Sequence, residues 1–302
     1  MALNLNLLRS FVAVAAAGSV SGAAKTVFIS QPALSKAVRE LELQVGLPLL
    51  ERGARGVKLT EAGETLYDHG RAIFALEREA EEALMAHKNL GAVTLRIGAS
   101  TTIATYFLPQ LVNGFRNLHP SLKVRMVRKN TNQIESLLSA YELDVALVEG
   151  PPHDARLEAR KWQEEELVVV ASPAHPLAGR IDVTMADLCA AEWVVREPGS
   201  GTREVVESAL RAWGLPPADA LEIGSAEAIK HTVAAGLGIA VVSRQAAADQ
   251  LTVGKLRIIH VPGLEMHRPF WLLRVRNRPI SPAARAFEHF ITSAHAESTT
   301  IE

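Results

Sequence analysis

Three consecutive hydroxyl residues, Ser100, Thr101 and Thr102, follow directly on the apolar run 93–100. A second polar turn, Arg196-Glu197-Pro198-Gly199-Ser200-Gly201-Thr202-Arg203, follows another apolar run. Such residues at the carboxyl end of a strand, where a helix begins, suit an anion. The helix amides there are free, its dipole favours negative charge, and the hydroxyls add donors. In the second turn Gly199 and Gly201 let the backbone approach a ligand, Ser200 and Thr202 donate hydrogen bonds, and Arg203 adds charge. Thr131, Glu149 and Ser225 stand at comparable strand ends. Ordinary helix caps use the same residue types. The pairing of two such turns, from two separate sets of elements, is what points to a shared anion site. Glu149 does not help to hold a bare anion; it suits an ammonium group, a protonated ligand oxygen or a nearby arginine.

A second chemistry lies earlier in the chain. Ser30, Gln31, Pro32, Ser35, Lys36 and Arg39 cluster on a helical pattern whose opposite face carries Leu34, Val38, Leu41 and Val45. Their donors and cations suit phosphates and base edges. Ser21 to Phe28 forms a first short helix with Ser21 as its expected cap, and Ser30 caps the second, with Pro32 in its first turn. The pair reads as helix-turn-helix. Gly46 closes the second helix, and 49–60 reads as strand, Gly-bounded turn, strand, carrying Arg52, Arg55 and Lys58: a basic wing. Leu7, Leu8, Phe11, Val14 and Ala15 give a supporting helix ended by Gly18. Charge agrees. Residues 1–60 hold seven Lys and Arg against three Glu, a net +4, whereas the whole chain is −1, leaving −5 for the rest.

The segment from Leu3 to Thr65 resembles the winged helix-turn-helix of LysR-type transcriptional regulators. The resemblance runs through LRSFVAVAAAGSVSGAA, SQPALSKAVRELE, GLPLLER and VKLTEAGE. It implies that Ser30, Gln31, Pro32, Ser35, Lys36 and Arg39 face DNA. The pattern EPGSGTR, with GASTTIATYFLP and LVEGPP, is similar to the branch that controls sulfur assimilation (cysteine metabolism) and carbon fixation. That similarity implies a small anionic effector: a sulfur oxyanion by preference, with an acylated amino acid or a phosphorylated metabolite as alternatives.

From Thr60 a Pro-free helix is expected to about Asn89. Ala62, Leu66, His69, Ile73, Leu76, Ala80, Ala83 and His87 form a heptad seam that Gly63, Gly70 and the histidines weaken. The alternative is a helix lying on its own domain. Self-association is the reading adopted, and the resemblance implies a homodimer assembling to a homotetramer. Beyond it, strands at 93–100, 122–129 and 143–150 alternate with helices at 103–118 and 133–141. A second set has strands at 167–172, 192–197, 220–225, 238–243 and 256–261, with helices at 201–213 and 226–235. A strand at 268–276 and a helix at 281–295 then return to the first set. The fold class is α/β, and the two-lobe body resembles a type 2 periplasmic-binding-protein fold. The expected division is 1–60 (DNA-binding), 61–91 (linker and dimerisation helix) and 92–302 (effector domain). Lobe I takes about 92–161 plus 264–302, and lobe II about 162–263.

Other function classes fare worse. No G-x-S-x-G, H-E-x-x-H or P-loop pattern occurs, and the ten histidines lack metal-ligand spacing, so no enzyme, metal or cofactor is expected. The single cysteine, Cys189, excludes an intrachain disulfide and is expected to be a buried helical thiol. An export signal and a membrane span are not apparent, which favours the cytoplasm over an extracytoplasmic solute receptor. The expected partners are double-stranded promoter DNA with a roughly two-fold site, a small anion, further copies of the chain and, through the resemblance, RNA polymerase.

Overall fold

The computed structural model describes residues 2–53, 56–87, 93–214 and 220–298, with Arg52, 85–87 and 294–298 described by backbone alone. The chain divides into two units, Met1–Gly91 and Ala92–Glu302. In the first, α1 (Leu5–Ala17), α2 (Val20–Val27) and α3 (Gln31–Val45) precede a hairpin of β1 (Leu50–Gly53) and β2 (Gly56–Leu59), then α4 (Glu61–His87). Gly18 and Gly46 close α1 and α3 in the left-handed conformation, with φ of 61° and 76°. The cap of α2 is Ser19, not Ser21: the Ser19 hydroxyl accepts from the Gly22 amide, and the helix starts earlier than the sequence suggested. Leu8, Phe11, Val14, Ala23, Leu34, Val38, Leu41 and Leu49 make the core. Two links fix the hairpin to it. A Glu42 carboxylate oxygen accepts from the Leu49 and Leu50 amides at 2.8 and 3.1 Å, and the Val57 amide donates to the Gly18 carbonyl at 2.9 Å.

Thr60 caps α4 through the Gly63 amide at 3.0 Å. The first half of α4 packs on its own unit through Ala62, Leu66, Tyr67, Ile73 and Phe74. Gly63 and Gly70 are close-contact points rather than weak spots in a seam. A Cβ on Gly63 would lie 2.0 Å from the Leu49 carbonyl oxygen, and one on Gly70 2.6 Å from a Val12 methyl. The expected seam therefore splits: its upper members serve the head, while His69, Leu76, Ala80 and Ala83 are exposed. The His87 side chain and Asn89 lie outside the described residues.

The second unit begins with β3 (Thr94–Ser100), a π-helical turn (Ile103–Phe107), α5 (Leu108–Leu118), β4 (Lys123–Lys129), α6 (Thr131–Ser139) and β5 (Val145–Glu149). Then come β6 (Leu157–Ala171), α7 (Met185–Cys189), β7 (Val194–Arg196), α8 (Gly201–Ala212), β8 (Leu221–Ile223), α9 (Ala226–Ala234) and β9 (Ile239–Ser243). The chain ends with α10 (Arg244–Thr252), β10 (Arg257–Ile258), β11 (Met266–Val275) and α11 (Pro282–Ser298). β3 lies between β4 and β5 and pairs with both in parallel. β6 and β11 run antiparallel along ten residue pairs, and 270–273 of β11 pair back onto 146–149 of β5.

These two long strands join two lobes with separate cores. Lobe I buries Leu95, Ile97, Phe115, Phe270 and Phe287 on one face of its sheet, and Ile134, Leu138, Val148 and Leu273 on the other. Lobe II does the same along β6: Leu167, Val169 and Ala171 enter one cluster, Val168 and Val170 another. Period-two alternation between two covered faces explains why LVVVA is an unbroken apolar run. Cys189 is exposed, contrary to expectation, because Leu188 takes the buried position of the five-residue α7. Among the described residues no helix is long and apolar enough to cross a membrane.

Candidate functional site: a recognition helix and an inter-lobe cleft

On the first unit, α3 buries Leu34, Val38 and Leu41 and turns outward Gln31, Pro32, Lys36 and Arg39, all exposed; Ser35 is half-buried. Ser30 caps the helix, its hydroxyl accepting from the Ala33 amide at 3.4 Å. Lys58 is exposed on β2, opposite Glu51 in the ladder. Arg55 lies outside the described residues, as does the Arg52 side chain. Among the described residues no ion pair engages Lys36, Arg39 or Lys58, so the surface offers donors and charge to a polyanion.

In the second unit the two polar turns do approach each other, and they sort into two groups. Thr102, at the end of lobe I's β3, and Thr202, in the first turn of lobe II's α8, line one cavity. Arg196, Lys230 and Ser243 of lobe II complete its polar wall. The free space is about 10 Å³, roughly one water. The π-helical turn brings Tyr106 across, so that the buried Lys230 ammonium sits 4.9 Å from its ring centre. Lys230 also donates to the Ala246 carbonyl and pairs with Glu227 at 2.9 Å. The Ser100 and Tyr106 hydroxyl oxygens are buried without a hydrogen-bond partner.

The second group welds the lobes. Thr131 of α6 accepts from the Gly201 amide at 3.1 Å and donates to the Glu149 carbonyl at 3.5 Å, and the Asn132 amide donates to the Gly199 carbonyl at 3.2 Å. Beside them Arg268 of β11 is completely buried. Its guanidinium pairs with Glu165 at 2.5 Å, donates to the Thr202 hydroxyl at 2.6 Å and lies 3.7 Å from Glu149. Ser243 donates to the other Glu165 oxygen. Burial pushes the Glu165 carboxyl up, against the pull of Arg268. Glu149 thus faces a protein cation rather than open cleft.

Several expected ligands have other duties. Ser200 and Ser225 cap α8 and α9 through the Arg203 and Ala228 amides. Arg203 pairs with Glu207 at 2.6 Å and Glu222 at 2.8 Å and donates to the Arg196 carbonyl. Pro198 is exposed, and Thr101 donates to the Lys129 carbonyl at 3.4 Å. Arg268, Glu165, Lys230 and Ser243 were missed. Lys230 had a signal, a cation between Ile229 and Val233 on the helix's buried side; Ser243 ends a strand by the same rule that picked Ser100.

A third inter-lobe contact titrates. His153, in the loop after β5, meets Glu204 of α8 at 3.0 Å and Glu135 of α6 at 3.8 Å. Hydrogen bonding to Glu204 raises the His153 pKa above 6.5, and burial raises that of Glu135. The neighbouring Asp154 stays ionised, held at about 2 by Arg156. A histidine raised on folding stabilises fully below its ordinary value and loses that contribution as pH rises through the raised one. The raised Glu135 carboxyl likewise favours the folded form on the acid side. Denaturant unfolding of wild type and His153→Gln should therefore converge above the raised His153 value and separate as pH falls below 6.5. Because His153 is half exposed, the gap stays below about 1 kcal/mol. A pH-independent difference would remove the titrating link.

Comparison with known proteins identifies both units. Residues 5–64 match the family model "Bacterial regulatory helix-turn-helix protein, lysR family", and residues 89–296 match "LysR substrate binding domain". The RuBisCO operon transcriptional regulator of Allochromatium vinosum is 36% identical over 98% of each chain. The HTH-type transcriptional regulator CysL of Bacillus subtilis is 31% identical over 95% of each. Among solved structures, the Synechocystis CcmR regulatory domain in complex with 2-PG is 28% identical. It superposes with a TM-score of 0.62, covering 67% of this chain and 97% of that one.

Proposed function

We propose, since the chain belongs to the LysR family of DNA-binding transcriptional regulators, that a small oxyanion held between its two lobes sets how it occupies a promoter. Within the family it stands with the regulators of sulfur assimilation and carbon fixation, and it is a regulator rather than an enzyme. The observation that carries the effector reading is the convergence of Thr102 from one lobe with Thr202, Ser243, Arg196 and Lys230 from the other on one small pocket. A hydroxyl from one lobe and hydroxyls and cations from the other bind an anion best when the lobes are shut. An anion therefore favours the closed state over an open one, the differential affinity without which a ligand shifts nothing. With room for about one water, the cavity must widen to admit any oxyanion, and a sulfur oxyanion needs less widening than an acylated amino acid or a phosphorylated metabolite. The related CcmR domain carries 2-PG, which keeps the phosphorylated alternative in play.

In the same reading Ser30, Gln31, Pro32, Ser35, Lys36 and Arg39 of α3, with Arg52, Arg55 and Lys58 of the wing, meet DNA. Segments 1–60, 61–91 and 92–302 act as DNA-binding, dimerising and effector domains. Copies pair through the exposed half of α4 and associate further to a homotetramer on a two-fold promoter site in the cytoplasm, within reach of RNA polymerase.

The test is a thermal-shift series with sulfite, sulfate, inorganic phosphate and O-acetylserine on the full chain. An effector at a hundred times its Kd stabilises by about 2.7 kcal/mol, or roughly 5–10 °C for a unit of this size. Sulfite or sulfate should raise the wild-type midpoint, and Thr102→Val and Lys230→Met should abolish the shift. An equal shift in both variants would place the anion elsewhere, and a shift with O-acetylserine or phosphate alone would replace the sulfur oxyanion.

A further inference from the structure

The residue joining α2 to α3 is out of keeping with its place. Phe28 is 93% exposed, the largest exposure among the large hydrophobic side chains of the described residues, and its backbone is left-handed, with φ 58° and ψ 35°. Left-handed backbone disfavours a bulky side chain and favours Gly or Asn. The conformation itself is needed: it lets the Phe28 and Ile29 amides both donate to the Ala24 carbonyl and end α2 sharply. Backbone geometry therefore calls for Gly or Asn at position 28, and solubility calls for a polar group. A phenylalanine meets neither demand.

What surrounds the ring indicates its use. Ile29, Ser30, Gln31 and Pro32 follow it directly and are exposed, as are Lys25 on α2 and Lys36 on α3. A protein partner would need roughly 800 Å² on each side, and one or two apolar side chains set among polar and cationic groups fall far short. A DNA groove accepts this pattern. The N-terminal residues of a recognition helix stand over base edges, and thymine presents a C5-methyl in the major groove that phenylalanine can contact.

We propose that Phe28 reads a thymine methyl beside the bases met by the N-terminus of α3, as a specificity-determining contact. This rests on the reading that α3 faces the groove. The ring adds an uncharged contact next to Lys36 and Arg39, so it contributes sequence preference without counter-ion release.

Phe28→Asn separates fold from recognition, because asparagine suits the left-handed backbone. The probe is a set of duplexes enriched from a random library by the wild-type protein. Phe28→Asn should melt no lower than wild type and keep its sedimentation behaviour. It should bind the enriched duplex about tenfold more weakly, with an unchanged slope of log affinity against log salt. Replacing thymines one at a time by deoxyuridine should weaken wild type at one position per half-site and leave Phe28→Asn indifferent there. Wild-type affinity in Phe28→Asn overturns the proposal, as does a loss of affinity explained by a smaller assembly. Lys36→Ala and Arg39→Ala are the control: if neither weakens binding or flattens the salt slope, α3 is not the DNA face and the underlying reading fails instead.

Discussion

Arg268→Met is expected to destabilise the second unit by about 3–5 kcal/mol, a large share of the stability of any domain. The guanidinium is completely buried and is the cation shared by Glu165 and Glu149, both themselves buried. Removing it leaves two carboxylates in a medium that solvates neither. Removing the charges together is much cheaper than removing one partner. Arg268→Met with Glu165→Gln should therefore recover part of the loss, a non-additivity that urea unfolding of the single and double variants measures directly. The deficit also has a sign with pH. Burial already holds the Glu165 carboxyl above its ordinary 4.5. Without Arg268 it rises further, so folding is least penalised below 4.5 and the deficit grows as pH rises through the raised value. A loss under about 1 kcal/mol, flat with pH, would mean that water reaches these charges.

Gly201→Ala should destabilise the second unit by about 1–3 kcal/mol and remove nearly all of the effector response. A Cβ there would stand 2.0 Å from the Glu149 carbonyl oxygen and 2.7 Å from the Thr131 hydroxyl, both on the opposite lobe. Gly201 opens α8, where alanine is a better helix former, so the intrinsic propensity change favours the variant by roughly 1 kcal/mol or less. Any functional loss then reports on lobe approach. With the lobes held apart by about an ångström, Thr102 and Thr202 no longer address one ligand. Anion affinity by calorimetry should fall by roughly a hundredfold, since several charge-assisted bonds are lost together. DNA binding without effector should persist. Wild-type anion affinity would show that the α8 turn slides without disturbing the cavity.

How far these features were readable depends on whether their cause is local. The α3 cap at Ser30, the glycines after α1 and α3 and the hairpin at 50–59 follow from neighbouring residues, and the structure has them in place. Ser19 was passed over for Ser21, two residues with the same capping chemistry that only the packing of Val20 separates. The amino-terminal half of β6 went unread as strand because Glu158, Arg160, Lys161 and Glu164 interrupt its apolar positions. Those charges belong where a strand passes between two cores, a circumstance no window of sequence contains. Arg268 is hidden for the same reason: its partner Glu165 is 103 residues away. The two polar turns were legible as strand ends. Which hydroxyls reach the cavity and which merely cap a helix was decided by how the two lobes meet.

The division of α4 has a mechanical consequence. Its first half is fused to the recognition head by glycines that leave no slack, and its second half presents Leu76 and Leu84, 40% and 63% exposed, to whatever pairs with it. Head and helix therefore turn as one lever. Twenty-seven residues make an arm about 40 Å long. In the proposed dimer, with two such arms paired at their far ends, a change of about 10° in their crossing angle alters the separation of the heads by roughly 7 Å, close to two base-pair steps. In that proposed dimer the angle at which copies cross, more than any motion within the head, is the quantity that would set half-site spacing.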